Sequence, residues 1–207
     1  MKAYYLWLFI LMLMSGFSNP YFKKCSSNNY KHSTYYKNKV YEEHTLESFY
    51  LLSDIRKTIS MDSIDIHLLN ACLFFATNKL RYLKNKPMFM FDTKLKDAAA
   101  IHSCQMEMHH FFAHENHFEK KLYSVEDRLK YNGIKFKLSA ENCSKEYIDD
   151  EDISYIEMAH QIIEGLYLSP PHKSNLMHTE LKYCASAAAV EKVKNNYYIL
   201  VTMDFYK

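Results

Sequence analysis

Residues 98–116 read AAAIHSCQMEMHHFFAHEN, and this stretch decides the fold. Leu95, Ala98, Ala99, His102 and Met106 fall at i, i+3, i+4, i+7 and i+11, one face of a 3.6-residue period. The spacing predicts an amphipathic helix, capped at its start by Asp92 or Thr93. Phe111 and Phe112 are expected to anchor its end in a core, with the helix stopping at Phe112. His114 then lies on the segment leaving the helix, where a side chain can face a cleft.

Upstream, Asp62 or Ser63 caps a helix whose apolar positions run Ile66, Leu69, Leu73, Phe74 and Leu80. Lys84 to Pro87 closes it, since proline ends helical propagation. Thr45 to Ser60 carries Leu46, Phe49, Tyr50, Leu52 and Ile55 at roughly helical spacing, a further short helix. Residues 19–44 are polar and lack periodicity, so they read as a linker or leader. At the front, Lys2 precedes an apolar run from Ala3 to Met14, and small residues stand at Gly16 and Ser18. This is the pattern of a signal peptide over 1–18, too short for a membrane span, and it implies export to a periplasm or the outside of the cell.

Downstream, Val125 to Asn132 is a short helix closed by Gly133. Asp149 to Asp152 is an acidic turn or helix start. Tyr155 to Leu168 is amphipathic and ends at Ser169-Pro170-Pro171. Ser174 and Asn175 are expected to cap a turn and hold the loop after His172. Tyr183–Val190 and Tyr197–Phe205 form a hairpin. Ile199, Val201, Met203 and Phe205 face one side and Tyr198, Leu200 and Thr202 the other, so the second strand is covered on both faces and central. The sum is a three-layer α-β-α sandwich with an antiparallel sheet over 62–207, preceded by an extra N-terminal helix within 19–61.

With 26 basic against 24 acidic side chains in 207 residues, the net charge of +2 gives no footprint for nucleic acid. Five cysteines, Cys25, Cys72, Cys104, Cys143 and Cys184, leave at least one unpaired in an oxidising compartment. Cys143 and Cys184 are candidates to pair, and buried free thiols are the alternative. His110 and His114 are i, i+4, yet Glu115 is misplaced for a His-Glu-x-x-His zinc motif. His102, on the inward face, reads as a hydrogen-bonded core histidine. No Gly-x-Ser-x-Gly elbow accompanies Ser103, Ser169 or Ser174, which argues against a serine hydrolase.

The segments LLNACLFFATNKLRYL, FDTKLKDAAAIHSCQMEMHHFFAHEN, DRLKYNGI, AENC and LSPPHKSNLM, in that order, resemble the CAP superfamily (cysteine-rich secretory protein, antigen 5 and pathogenesis-related 1; SCP domains), in its bacterial secreted branch. The resemblance covers roughly Ile64 to Tyr206. It implies the α-β-α fold and a cleft in which His114, Glu141 and His172 converge, with Ser169 near the register of a further acidic position; Glu164, more than a turn earlier, reads as a surface residue. His114 and His172 are then the residues that hold zinc or another divalent cation, and a carboxylate can orient a histidine or a bound water. Two departures stand out. Ala140 replaces the glycine of Gly-Glu-Asn, and Pro171 replaces the glycine before the histidine; neither tolerates positive φ cheaply. The expected function is a non-catalytic binding module for a lipid, glycan or protein. The alternative is a metal-dependent hydrolase with Glu141 as general base.

Overall fold

The computed structural model describes residues 25, 33–60, 63–148 and 152–207. The expected signal peptide, Asp62 and residues 149–151 of the acidic run lie outside the described residues. Helix α1 (Val40–Glu43) continues a π-helical turn at Tyr35–Lys39, and α2 is Leu46–Phe49. Helix α3 spans Ile66–Leu83, α4 Thr93–His109, α5 Val125–Tyr131, α6 Tyr155–Leu168 and α7 Pro170–Met177. Strands β1 (Ser139–Ile148), β2 (Tyr183–Val193) and β3 (Asn196–Tyr206) pair antiparallel in the order β1-β3-β2.

β3 is central, as its two apolar faces require. Ile199, Val201, Met203 and Phe205 join one cluster with α3 and α6 residues such as Leu69, Leu73, Ile162 and Ile163. Leu200, on the opposite face, packs with Met106 of α4. β2 turns Ala185, Ala187 and Ala189 toward α4, and side chains this small let the helix come close. Ala185 packs with Leu95 and Ala98, and Ser103 Oγ donates to Ala187 O at 2.8 Å. Leu95, Ala98, Ala99, His102 and Met106, the face read from the periodicity, are all fully buried. Helices on both sides of one sheet give the three-layer α-β-α sandwich.

Four local expectations are corrected. Asp65, not Ser63, caps α3, accepting from His67 N and Leu68 N at 3.1 and 3.2 Å. α4 stops at His109 rather than Phe112, because His110 takes the left-handed conformation (φ 52°) and Phe111 N–H returns to Met106 O at 3.1 Å, a helix-ending bond pattern. Phe111 is consequently half-buried and Phe112 exposed, so only the first of the pair reaches the core. The short helix expected over 45–60 is a single turn, α2, followed by a 3₁₀ turn at Asp54–Arg56.

Residues 35–43 form helical turns where a linker was expected. Their tyrosines account for much of the difference, with rings buried or half-buried among other side chains, although the Tyr41 hydroxyl has no hydrogen-bond partner among the described residues. Tyr36 OH donates to Asp54 at 2.8 Å, and Tyr41 stacks on Phe91 with centroids 3.5 Å apart. Lys96 of α4 reaches back to this segment, its Nζ donating to Lys37 O and Asn38 Oδ1 at 3.0 Å each, and burial pushes the ammonium down to about 8. A disulfide joins Cys25 to Cys104, while Cys72, Cys143 and Cys184 are buried free thiols, so the Cys143–Cys184 pairing does not form.

Candidate functional site

The site is built on two consecutive residues of β1. Strand geometry sends Glu141 and Asn142 to opposite faces of the sheet. Glu141 points toward the α4 side and holds the loop that carries His114. Asn142 points toward the α7 side and holds the helix that carries His172.

On the first side Arg128, fully buried on α5, donates through Nη2 to Glu141 Oε2. Its Nη1 donates to Leu122 O and Tyr123 O at 3.0 and 3.2 Å, and to His114 O at 3.4 Å. One guanidinium therefore ties the carboxylate to both ends of the loop after α4. Asn116, also fully buried, completes the tie: its N–H donates to Tyr123 O at 2.8 Å and its amide to Gln105 Oε1 at 3.3 Å. His114 Nδ1 lies 2.8 Å from Glu141 Oε1. The acceptor is an ionised carboxylate, so Nδ1 carries the proton and donates. That leaves Nε2 without a proton, on a ring whose side chain is 51% exposed.

On the second side Pro170 and Pro171 occupy the first positions of α7, where a missing N–H costs nothing. The Pro171 departure is thereby absorbed, and His172 sits in the first turn of a helix rather than on a loop. Ala140 lies in extended β1 opposite Phe205, where no positive φ is needed. Asn142 Nδ2 donates to His172 O at 3.1 Å. Asn175, inside α7 and not in a loop, donates to Asn142 Oδ1 at 2.8 Å and to Glu141 O at 3.2 Å. The His172 imidazole makes no hydrogen bond among the described residues. Ser169 stands at the N-cap of α7 without a side-chain capping bond. Glu164 is exposed.

The electrostatics divide these groups sharply. Burial alone would raise the Glu141 carboxyl, but the His114 hydrogen bond and the Arg128 charge outweigh it and hold the acid below the usual carboxylate range. The same hydrogen bond raises His114, against its partial burial. His172 is lowered, first by burial and then by the charge of His114. Asp204 of β3 lies opposite Glu141 in the strand register and is fully buried with neither carboxyl oxygen hydrogen-bonded. Burial and the Glu141 charge raise it well above the carboxylate range, so two adjacent acids share one negative charge, facing one arginine. His102 is neutral: burial pushes it down to about 4, and its Nε2 is 2.9 Å from Ala113 O.

His102, Glu141 and Cys143 also bring ligand atoms within 4.8 Å of one another. These atoms are already spent. Glu141 serves His114 and Arg128, His102 Nε2 serves Ala113, and burial raises the Cys143 thiol well above its ordinary value. Beside a buried guanidinium, these atoms have little capacity left for a cation. His110, considered with His114 for a second metal, turns away to Glu191 Oε1 at 2.8 Å. The role of Arg128, within the DRLKYNGI segment, and that of Asp204 escape a reading by motif; Asp204 shares the α4-facing side of its strand with Leu200 and Thr202.

The three-stranded sheet and its two helical layers define a CAP-type α-β-α domain. Residues 74–205 match the cysteine-rich secretory protein family, and the chain belongs to that family. Among solved structures it is similar to an extracellular SCP-domain protein of Bacillus anthracis (23% identity, 67% of this chain and 40% of that one, TM-score 0.50). It is also similar to an outer surface protein of Borrelia burgdorferi (17% identity, 70% and 96% covered, TM-score 0.54). At these identities the likeness is one of fold, and the chain spans two fifths of the Bacillus protein. No curated protein sequence matches the chain. Among the described residues no helix is long and apolar enough to cross a membrane.

Proposed function

We propose that the protein is an exported binding module whose cleft holds a divalent cation, zinc in the first instance, between His114 and His172. The observation that carries this reading is the Arg128–Glu141–His114 chain. A carboxylate accepting from Nδ1 fixes the tautomer of a histidine and raises the basicity of its Nε2, the arrangement that supports a metal ligand. The ion, where bound, supplies a Lewis-acidic centre with water positions open to a lipid, glycan or protein ligand. Glu141 in this reading positions His114. A general base for the hydrolase alternative needs a free oxygen and an acidity nearer neutral, and Glu141 offers neither. Export is supported by the Cys25–Cys104 disulfide, since such bonds persist in oxidising compartments. Residues 33–60 belong to the folded unit in this reading.

The test is a zinc titration of chelator-treated protein near pH 7.5. One ion per chain is expected, lost in His172→Ala and in His114→Ala and retained in Cys143→Ser. Absence of zinc binding by the wild type, or its loss in Cys143→Ser with both histidines intact, would contradict the cleft assignment.

A further inference from the structure

A second concavity lies away from the histidine cleft. It is a groove of about 700 Å³ between residues 41–47, the second half of α3 and the segment 88–93. That volume is typical of small-molecule sites. Its floor is aromatic: Tyr41 is stacked on Phe91 and lies edge-on to Phe74 at 5.4 Å. Met88 and Met90, 51% and 49% exposed, form its lips. The charged side chains lining it are Glu42 and Glu47; no lysine or arginine lines it, though the charge of Lys79 reaches Glu47 and helps to lower its carboxyl. Two of its other polar groups are spent, while the Tyr41 hydroxyl is buried without a hydrogen-bond partner among the described residues. Asn78 exchanges two hydrogen bonds with the Phe89 backbone at 2.8 and 3.0 Å, and His44 lies between Tyr35 OH and Ser48 Oγ at 2.6 and 3.0 Å. The Thr45 hydroxyl donates to Glu47 at 2.9 Å and fixes that carboxylate at the rim.

We propose that this groove binds an amphiphilic organic cation, an ammonium group carried on an apolar chain. The chain lies against the thioethers and aromatic rings, which adapt to irregular apolar shapes. The ammonium takes its place between Glu42 and Glu47, near ring faces that favour positive charge. An amphiphile of the same length with a carboxylate head meets two like charges there and is rejected.

The experiment is calorimetric titration of the protein with dodecyltrimethylammonium and, separately, with dodecanoate, each below its micelle-forming concentration. One saturable site for the cation is expected, at least about tenfold tighter than for the anion. The doubly exposed-site variant Glu42→Gln/Glu47→Gln is expected to lower cation affinity about tenfold, and Met90→Arg, which sets a cation on the lip, at least as much. His114→Ala/His172→Ala leaves it unchanged, which separates this site from the cleft. Equal affinity for the two head groups, or cation affinity surviving both groove variants, would overturn the proposal.

Discussion

The two faces of the sheet are built on opposite terms, and neighbouring residues of β3 show it. Met203 and Phe205 point toward α3 and α6 and join the main apolar cluster, with Met203 flanked in register by the buried polar residues Asn142 and Ser186. Asp204, between them, points to the other face and joins Glu141, Arg128 and His102 in a buried polar centre. The first face supplies cohesion by burial. The second consumes stability, since an acid with no hydrogen bond and an ion pair taken out of water both cost free energy. What the second face returns is position: the same guanidinium that neutralises Glu141 also fixes the loop on which His114 is displayed. The main apolar cluster and the buried ion pair thus lie one step apart on a strand, while Asn142, on the first face, holds the helix that carries His172.

The largest effects come from breaking one face at a time. Arg128→Ala leaves Glu141 buried without its counter-charge and is expected to cost about 3–5 kcal/mol in denaturant unfolding. Phe205→Ala on the other face costs a similar amount, about 3–5 kcal/mol, through cavity and transfer terms. The two losses differ in what repairs them. Adding Glu141→Gln to Arg128→Ala recovers part of the first, because the stranded charge is gone, whereas no polar second-site change restores the Phe205 loss. A double-mutant cycle showing no coupling between Arg128 and Glu141 would dissolve the distinction.

Acid sharpens the same comparison. His102 titrates near 4 in the fold against 6.5 in the unfolded chain, so between those values the unfolded chain binds more protons and stability rises with pH. The contribution is complete above pH 6.5 and is lost as pH falls toward 4, roughly 3 kcal/mol in all. Glu141, also depressed, adds to the loss below the ordinary glutamate range. His114, raised, acts in the opposite sense: its stabilisation is full below 6.5 and fades as pH rises past its elevated value, and its exposure keeps the term small. Urea unfolding from pH 7 to 4 therefore loses stability in the wild type, and His102→Gln flattens most of that slope.

Smaller effects follow. Reducing the Cys25–Cys104 disulfide is expected to cost about 2–3 kcal/mol, read as a lowered thermal midpoint with dithiothreitol. Asp204→Asn replaces a carboxyl that is already neutral by a neutral isostere, and is expected to change stability by less than about 1 kcal/mol at pH 7.

The apolar face was legible in the sequence and the polar one only in part. Periodicity identified the inward positions of α4, and the doubly apolar run of β3 placed it at the centre of the sheet, because burial on a regular element leaves a regular pattern. His114, Glu141 and His172 emerged by resemblance in motif. Arg128 did not, since on a seven-residue helix rich in charge nothing local separates a buried arginine from a solvated one. The Cys25–Cys104 bond spans 79 residues and has no local signal. Residues 35–43 were hidden by composition: tyrosine and lysine score as polar, yet here the Tyr36 ring and the Lys96 ammonium are buried with their polar ends hydrogen-bonded.

Glu141 holds the Nδ1 proton of His114 and leaves Nε2 unprotonated. Long-range ¹⁵N–¹H spectra of the imidazoles across pH 5 to 9 test it most directly. The account requires His114 to titrate above 6.5 and, once neutral, to keep its proton on Nδ1, with Glu141→Gln lowering that midpoint. A neutral His114 protonated on Nε2, or a midpoint below 6.5, would contradict it.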